Sequence, residues 1–386
     1  MPALRDDIDP DGLLEYSVVY TDRALNHMSF EFQSVMRDMS GMLKEAYSAT
    51  SVAIVPGGGT YGMEAVARQF ARNRRCMVLR NGWFSYRWSQ ILEAGNIPSS
   101  LQVLKASRQH DGDVEPFAPM PIAEVVAAIR EYRPDVFFAP HVETSSGMLL
   151  PDDYLREIGT ALQENGGLFV LDCIASGAAW VDIKENLVDV LISAPQKGWS
   201  GPSCAGLVML GDKATALLPD TQSDSFACDL KKWHEIMQAY ENGGHAYHAT
   251  MPTDALRQAR NTMRETRSMG FAEAHRRQLE LGRRVRDMLA QRGLVSVAAD
   301  GFEAPGVVVV YIDDPAIQSG SRFAAEGLQV AAGVPLMVDE GPGFRTVRMG
   351  LFGLDKLGDI DGTVARLENA LVNVLSQREQ LQPEPA

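Results

Sequence analysis

The sequence predicts an α/β fold, a mostly parallel sheet with helices on both faces, followed by a smaller α+β region. Three observations carry that prediction. Seven short runs are almost uniformly apolar, at residues 51–55, 76–81, 101–106, 135–142, 167–173, 188–195 and 205–210, as strands covered on both faces must be. Several of the segments between them place apolar residues at helical spacing, the alternation that joins parallel strands through crossovers. Beyond residue 265 the order changes to a long amphipathic helix, short strands and a final helix.

The elements follow in order. After a polar entry, "RALNHMSFEFQSVMRDMSGMLKEAY" (23–47) has helical spacing, "SVAIV" (51–55) is a strand, and "MEAVARQFARN" (63–73) is a helix. The strand "CMVLRN" exits into "GWF", and the helical "WSQILEA" (88–94) leads to "LQVLKA". "PIAEVVAAIREYR" (121–133) precedes "DVFFAPHV", and "DDYLREIGTALQENG" (152–166) precedes "GLFVLDC"; "VDVLISAP" and "AGLVML" complete the seven strands. The second region comprises "GFAEAHRRQLELGRRVRDMLAQRG" (270–293), "GVVVVYID" (306–313), "FRTVRMGLFG" (344–353) and "DIDGTVARLENALVNVLSQREQ" (359–380). The expected division is an N-terminal segment at 1–21, a large domain at 22–265 and a small domain at 266–386, with the "QPEPA" tail frayed.

Composition excludes several function classes. The chain has 386 residues, 45% apolar and 22% charged, with a formal net charge of −14 and a pI near 5.0. Nucleic acid and anionic membranes need a basic surface, so neither is an expected partner. Any anionic ligand must meet a local positive pocket. Cys76, Cys173, Cys204 and Cys228 lie far apart and form no C-x-x-C pair, so neither a disulfide framework nor a zinc knuckle is expected. The opening residues lack the apolar core of a signal peptide, and no apolar run reaches membrane-spanning length. A cytoplasmic location is the expectation.

"IVPGGGTYGMEAV" (54–66) matches Gly-x-Gly-x-x-Gly at Gly57, Gly59 and Gly62. The turn follows a strand and opens a helix, whose free N–H groups suit a phosphate. A nicotinamide enzyme would carry an acid after the next strand; here stand Arg80, Asn81 and Gly82. In open parallel sheets ligands gather beyond the carboxyl ends of the strands. Those positions hold the glycine turn, Asn81 to Phe84, "HVETSSG" (141–147), Asp172 in "FVLDCIASG", and Lys197 in "LISAPQKGWSGPSCAGLVML". Small neighbours let Lys197 reach inward, and a carboxylate at a buried strand end requires a partner. Pyridoxal phosphate needs this set together. A lysine holds its aldehyde as an imine, a carboxylate keeps its ring nitrogen protonated, a glycine turn takes its phosphate, and Trp83 or Phe84 covers the ring. Plainer roles stand beside these: Asp172 as the cap of the next turn, Arg348 paired with a surface acid, His245 and His248 as packing rather than metal ligands, Trp83, Trp88 and Trp199 as core, and Cys173 and Cys204 as buried filler.

The succession of glycine turn, "NGWF", "HVETSSG", "VLDCIASG" and "SAPQKGWSGPSCAGLVML" resembles the class V aminotransferases of the fold-type I pyridoxal-phosphate enzymes, the alanine–glyoxylate and serine–pyruvate aminotransferases above all. The likeness runs from about residue 50 to residue 355. It implies that Lys197 forms the imine and Asp172 faces the ring nitrogen. By the same resemblance Gly58, Gly59, Thr60 and Gln196 contact the phosphate, Phe84 stacks on the ring, and Thr144 and Ile174 flank it. Tyr247 and Thr250 in "HAYHATMP" would serve the phosphate of a neighbouring subunit in a homodimer with shared sites, and Arg348 would bind the substrate carboxylate. The implied activity moves an amino group from a small amino acid, of the alanine or serine type, to a 2-oxo acid such as glyoxylate or pyruvate. A 2-aminoethylphosphonate–pyruvate transaminase and a cysteine desulfurase-like lyase are the alternatives that share the cofactor, and a nicotinamide-binding Rossmann protein rests on the glycine spacing alone. The chain departs from the family in three places. "LEYSVVYTDRALNHMS" (14–29) stands where the family has a Gly-Pro-rich segment, Phe84 where relatives often have Trp, and Thr60 where some have His.

Overall fold

Seven strands form the central sheet of the computed structural model, which describes residues 7–379; residues 1–6 of the expected N-terminal segment and the "QPEPA" tail lie outside them. In chain order the strands are β1 (Ser51–Pro56), β2 (Arg75–Arg80), β3 (Ser100–Lys105), β4 (Val136–Pro140), β5 (Leu168–Asp172), β6 (Val190–Ser193) and β7 (Ala205–Leu210). Their order across the sheet is β1-β7-β6-β5-β4-β2-β3. Only β7 runs against the rest, pairing antiparallel with both β1 and β6. The carboxyl ends of β1, β2, β4, β5 and β6 therefore share one edge. Asp172 closes β5, the middle strand.

The crossovers are α2 (Gly59–Phe70), α3 (Trp83–Ala94), α4 (Ile122–Tyr132) and α5 (Asp152–Gln163), with α1 (Phe30–Tyr47) before the sheet. The helix expected from residue 23 begins at Phe30, because the Ser29 side chain accepts the Phe32 N–H and fixes the start there. The longer helices absent from the sequence prediction are α6 (Leu230–Glu241) and α7 (Thr253–Met269), which follow β7 and a short helix at Asp212–Leu217. In α7, Arg260 sits at a core position with 4% exposure, satisfied by Glu31 at 2.6 Å and Asp38 at 3.0 Å on α1. Helix α8 (Phe271–Ala290) leads to a three-stranded antiparallel sheet of β8 (Val307–Tyr311), β9 (Ala331–Ala332) and β10 (Thr346–Gly350), with β10 in the middle, and α9 (Ile360–Glu379) ends the described chain. One apolar cluster fills the space around the central sheet, and two others surround the C-terminal strands. Among the described residues no helix is long and apolar enough to cross a membrane.

Helix α2 lies directly on β7 through a glycine contact. A Cβ built on Gly206 would stand 2.7 Å from the Gly62 backbone. The third glycine of the sequence motif thus serves helix–sheet packing. Gly206→Ala should destabilise the protein by about 1–3 kcal/mol through overpacking, whereas Gly41→Ala, in an open position of α1, should stabilise it by about 0.5–1 kcal/mol. Denaturant unfolding of the two variants checks both signs.

Candidate active site

At the carboxyl edge, α2 begins without a side-chain cap at Gly58. The N–H groups of Gly58, Gly59 and Thr60 meet no protein acceptor among the described residues, which leaves a positive, donor-rich helix start. Ile174 closes one side of it, since a Cβ on Gly59 would lie 2.6 Å from Ile174 Cδ1. The Ile174 N–H in turn donates to Asp172 Oδ1 at 2.9 Å. Asp172 is therefore the cap of the following turn, and it is buried as well. Burial raises its pKa to about 6, against the opposing pull of the Ile174 N–H and the Lys197 charge.

Lys197 stands on the loop after β6. Its position is set by Trp199, which is fully buried against Trp180 at 4.7 Å, Phe271 at 5.8 Å and Tyr47 at 6.2 Å. Gly198 permits the approach, because any Cβ there would meet the Gly177 carbonyl oxygen at 2.1 Å. The Lys197 amine lies between two rings, 5.8 Å from the centre of Phe84 and 5.7 Å from that of Phe352. Burial lowers its pKa below the ordinary lysine value; Asp172 and Glu143 oppose that shift, and Arg348 and Arg87 reinforce it.

Phe84 belongs to the first turn of α3, and that turn is held by Glu143. This carboxylate is 0% exposed. It accepts the N–H groups of Phe84 (3.2 Å), Ser85 (2.8 Å) and Ser145 (3.0 Å) and the hydroxyls of Ser85 and Ser145 (both 2.7 Å). Gly82 makes room for it, since a Cβ there would lie 2.1 Å from Ser145 Oγ. The adjacent Thr144 is 5% exposed, and its hydroxyl has no protein partner. Arg348, on the middle strand β10, donates from Nε to the Ala332 carbonyl at 2.8 Å and lies 5.6 Å from the Phe84 ring centre; burial lowers its pKa.

The fold thus gathers Gly58, Gly59, Thr60, Phe84, Asp172, Ile174, Lys197 and Arg348 at one edge. Gln196 is exposed beside Lys197. Tyr247, 53% exposed, and Thr250 have each other (3.0 Å) and His27 (5.5 Å from the Tyr247 ring) as partners, none of them in the Asp172–Lys197 group. His248 bonds the Phe226 carbonyl and His245 packs against His27. Among the described residues no three His, Cys, Asp or Glu side chains converge as a metal site. Three residues absent from the sequence reading belong to the group: Glu143, Phe352 and Arg87, whose guanidinium donates to Thr60 Oγ1 at 3.1 Å. Arg87 follows Phe84 by three positions on α3, a spacing that could have flagged it.

Pyridoxal phosphate suits this donor set: an uncapped helix start for a phosphate, an unpartnered Thr144 hydroxyl, a buried carboxylate that gains from a cation, and an amine between aromatic rings. No family model matches the chain. It is 24% identical to alanine–glyoxylate aminotransferase 1 of Saccharomyces cerevisiae over 356 residues, 86% of each protein. It is 26% identical to 2-aminoethylphosphonate–pyruvate transaminase 2 of Paraburkholderia xenovorans over 366 residues, covering 91% of this chain and 89% of that one. The crystal structure of an alanine–glyoxylate aminotransferase from Nostoc sp. superposes with a TM-score of 0.76 at 21% identity, covering 91% and 89% of the two chains; that likeness establishes the fold.

The raised Asp172 pKa has a pH consequence. A carboxyl whose folded pKa lies above its unfolded value binds more protons when folded, so its contribution to stability falls as pH rises from about 4 to about 6. In the cofactor-free protein, Asp172→Asn should remove a loss on the order of 2 kcal/mol across that window. Urea unfolding of both proteins at pH 4 and pH 7 measures the difference.

Proposed function

We propose, from the premise that the chain belongs to the class V aminotransferases of fold-type I, that it moves an amino group from a small amino acid of the alanine or serine type to a 2-oxo acid such as glyoxylate or pyruvate. The observation that carries this reading is the Lys197 amine, 5.8 Å from the Phe84 ring centre and within reach of the charge of the buried Asp172, on the edge that also holds the uncapped start of α2. When bound, pyridoxal phosphate supplies an aldehyde that accepts the amino group and a ring that draws electrons from the bond at the substrate's α-carbon.

Each residue has a part consistent with its surroundings. Gly58, Gly59 and Thr60 offer N–H groups to the phosphate, and Gln196, exposed next to Lys197, is a further donor for it. Phe84 gives a flat face to the ring, and Thr144 and Ile174 flank it. The Asp172 carboxylate, costly to bury alone, holds a proton on the ring nitrogen. The Lys197 amine loses its proton more readily than a surface lysine, so it suits a general base that takes the substrate's α-proton on Nζ and returns it to a neighbouring carbon. Arg348 can fix the substrate carboxylate through its forked N–H groups. Tyr247 and Thr250, exposed in the single chain, are free to reach the phosphate of a second copy in a homodimer.

The same residues would serve a 2-aminoethylphosphonate–pyruvate transaminase, the activity named for the Paraburkholderia relative. A desulfurase reading lacks a nucleophile: all four cysteines are buried, and burial pushes the Cys76 thiol up to about 12 and Cys204 to about 11.

Purified protein should show a near-visible absorbance band that borohydride bleaches. Lys197→Ala should lose that band and at least about a hundredfold in turnover; a fully active variant would refute the mechanism. A panel of alanine, serine and 2-aminoethylphosphonate against glyoxylate and pyruvate, following each keto product, separates the two transaminase readings.

A further inference from the structure

Two arginines address the ring of Phe84. Arg348 arrives from β10 with its guanidinium carbon 5.6 Å from the ring centre, and Arg87 arrives from α3 at 5.2 Å. Neither forms an ion pair among the described residues; Arg87 bonds the neutral Thr60 hydroxyl and Arg348 a backbone carbonyl. In a chain with a net charge of −14, acids are plentiful, and Arg68 is matched with Glu64 and Asp224 and Arg292 with Glu368. Arg80 and Arg286 lack an acid but each bonds more than one carbonyl or hydroxyl oxygen, whereas Arg87 and Arg348 have one such bond each among the described residues. The acid nearest the start of α3 does not serve Arg87 either, because both oxygens of Glu143 are taken by N–H and O–H donors. The group therefore presents two forked cations, while an amino acid with one carboxylate occupies only one. The second guanidinium, without a counter-anion among the described residues, can accept a second anion through its fork.

We propose that Arg87 forms a second anion subsite beside Phe84, so that one of the two half-reactions takes an amino or keto acid whose side chain ends in a second acid group. This rests on the transaminase reading of the site and replaces, in one half-reaction, the alanine- or serine-type donor or the glyoxylate- or pyruvate-type acceptor by a diacid. Arg87 is placed to do so because α3 sets it one turn after Phe84, at the rim of the α2 start and partly open to solvent. Its planar fork matches a carboxylate in a way that a lysine at this position would not.

The test uses binding rather than turnover. Succinate and propionate are titrated calorimetrically into pyridoxal-phosphate-loaded wild type, Arg87→Gln and Arg87→Lys, and the cofactor dissociation constant of each protein is measured by fluorescence. The wild type should prefer succinate. Arg87→Gln should lower the succinate-to-propionate affinity ratio about tenfold or more, the loss expected for a charged hydrogen bond, and Arg87→Lys should fall between. A wild type without preference, or a ratio that survives in Arg87→Gln, overturns the subsite. If the ratio survives while cofactor affinity drops, Arg87 serves the cofactor phosphate instead. A wild type that takes up no pyridoxal phosphate overturns the transaminase reading along with the subsite.

Discussion

The geometry of the cleft depends on a buried carboxylate that forms no salt bridge among the described residues. Glu143 lies in the loop after β4, and its charge is met by five N–H and O–H donors, three of them from the first turn of α3. A helix start offers unsatisfied amides and the positive end of its dipole, so an acid can be buried there where elsewhere it would drive unfolding. The bond locks α3 to the loop that follows the neighbouring strand. Phe84 and Arg87, both on the early turns of α3, inherit their positions from that lock, and Thr144 is fixed beside it in the chain.

A second lock sets the opposite wall. The chain from β6 to Lys197 is exposed at Gln196 yet ends in a fully buried Trp199, packed among Trp180, Phe271 and Tyr47. The Ser200 hydroxyl accepts the Leu354 N–H at 2.9 Å, just past Phe352. The lysine is thus carried by a rigid loop that touches both the central sheet and the C-terminal region. This arrangement lets an otherwise acidic molecule gather Lys197, Arg87, Arg348 and the start of α2 at one edge, with Asp172 and the hydrogen-bonded Glu143 as the opposing charges.

How much of this was legible in sequence follows from the kind of force involved. The seven strands were readable because burial on both faces demands apolar runs such as "FVL" before Asp172 and "VLIS" before Lys197. The glycine turn, Asp172 and Lys197 were readable because they occur in strand-end loops, where a polar residue needs a reason. Helix α7 was not, since Arg260 occupies a core position by pairing with acids on α1, far away in sequence, and so breaks the apolar stripe. Helix α6 does carry that stripe, at Trp233, Ile236, Met237 and Tyr240. Glu143 and Arg87 were invisible for a common reason: a charged residue on a helix or loop reads as solvated, and its burial depends on partners that only the folded chain supplies.

The N-terminal departure from the pattern of the family the chain resembles acquires a physical meaning from its contacts. Asn26 joins Glu15 at 2.7 Å and Ser17 at 3.2 Å, which folds the segment back on itself. Tyr20 then donates to the Met251 carbonyl at 3.2 Å and packs on His27, whose ring also meets Tyr247 and His245. The segment is therefore tied to the 245–252 loop, and among the described residues none of these contacts is with the edge that holds Asp172 and Lys197. A Gly-Pro-rich segment could not make these side-chain contacts. Tyr20 and His27 instead meet the loop that presents Tyr247, so this loop takes its position partly from side chains that a Gly-Pro-rich segment lacks.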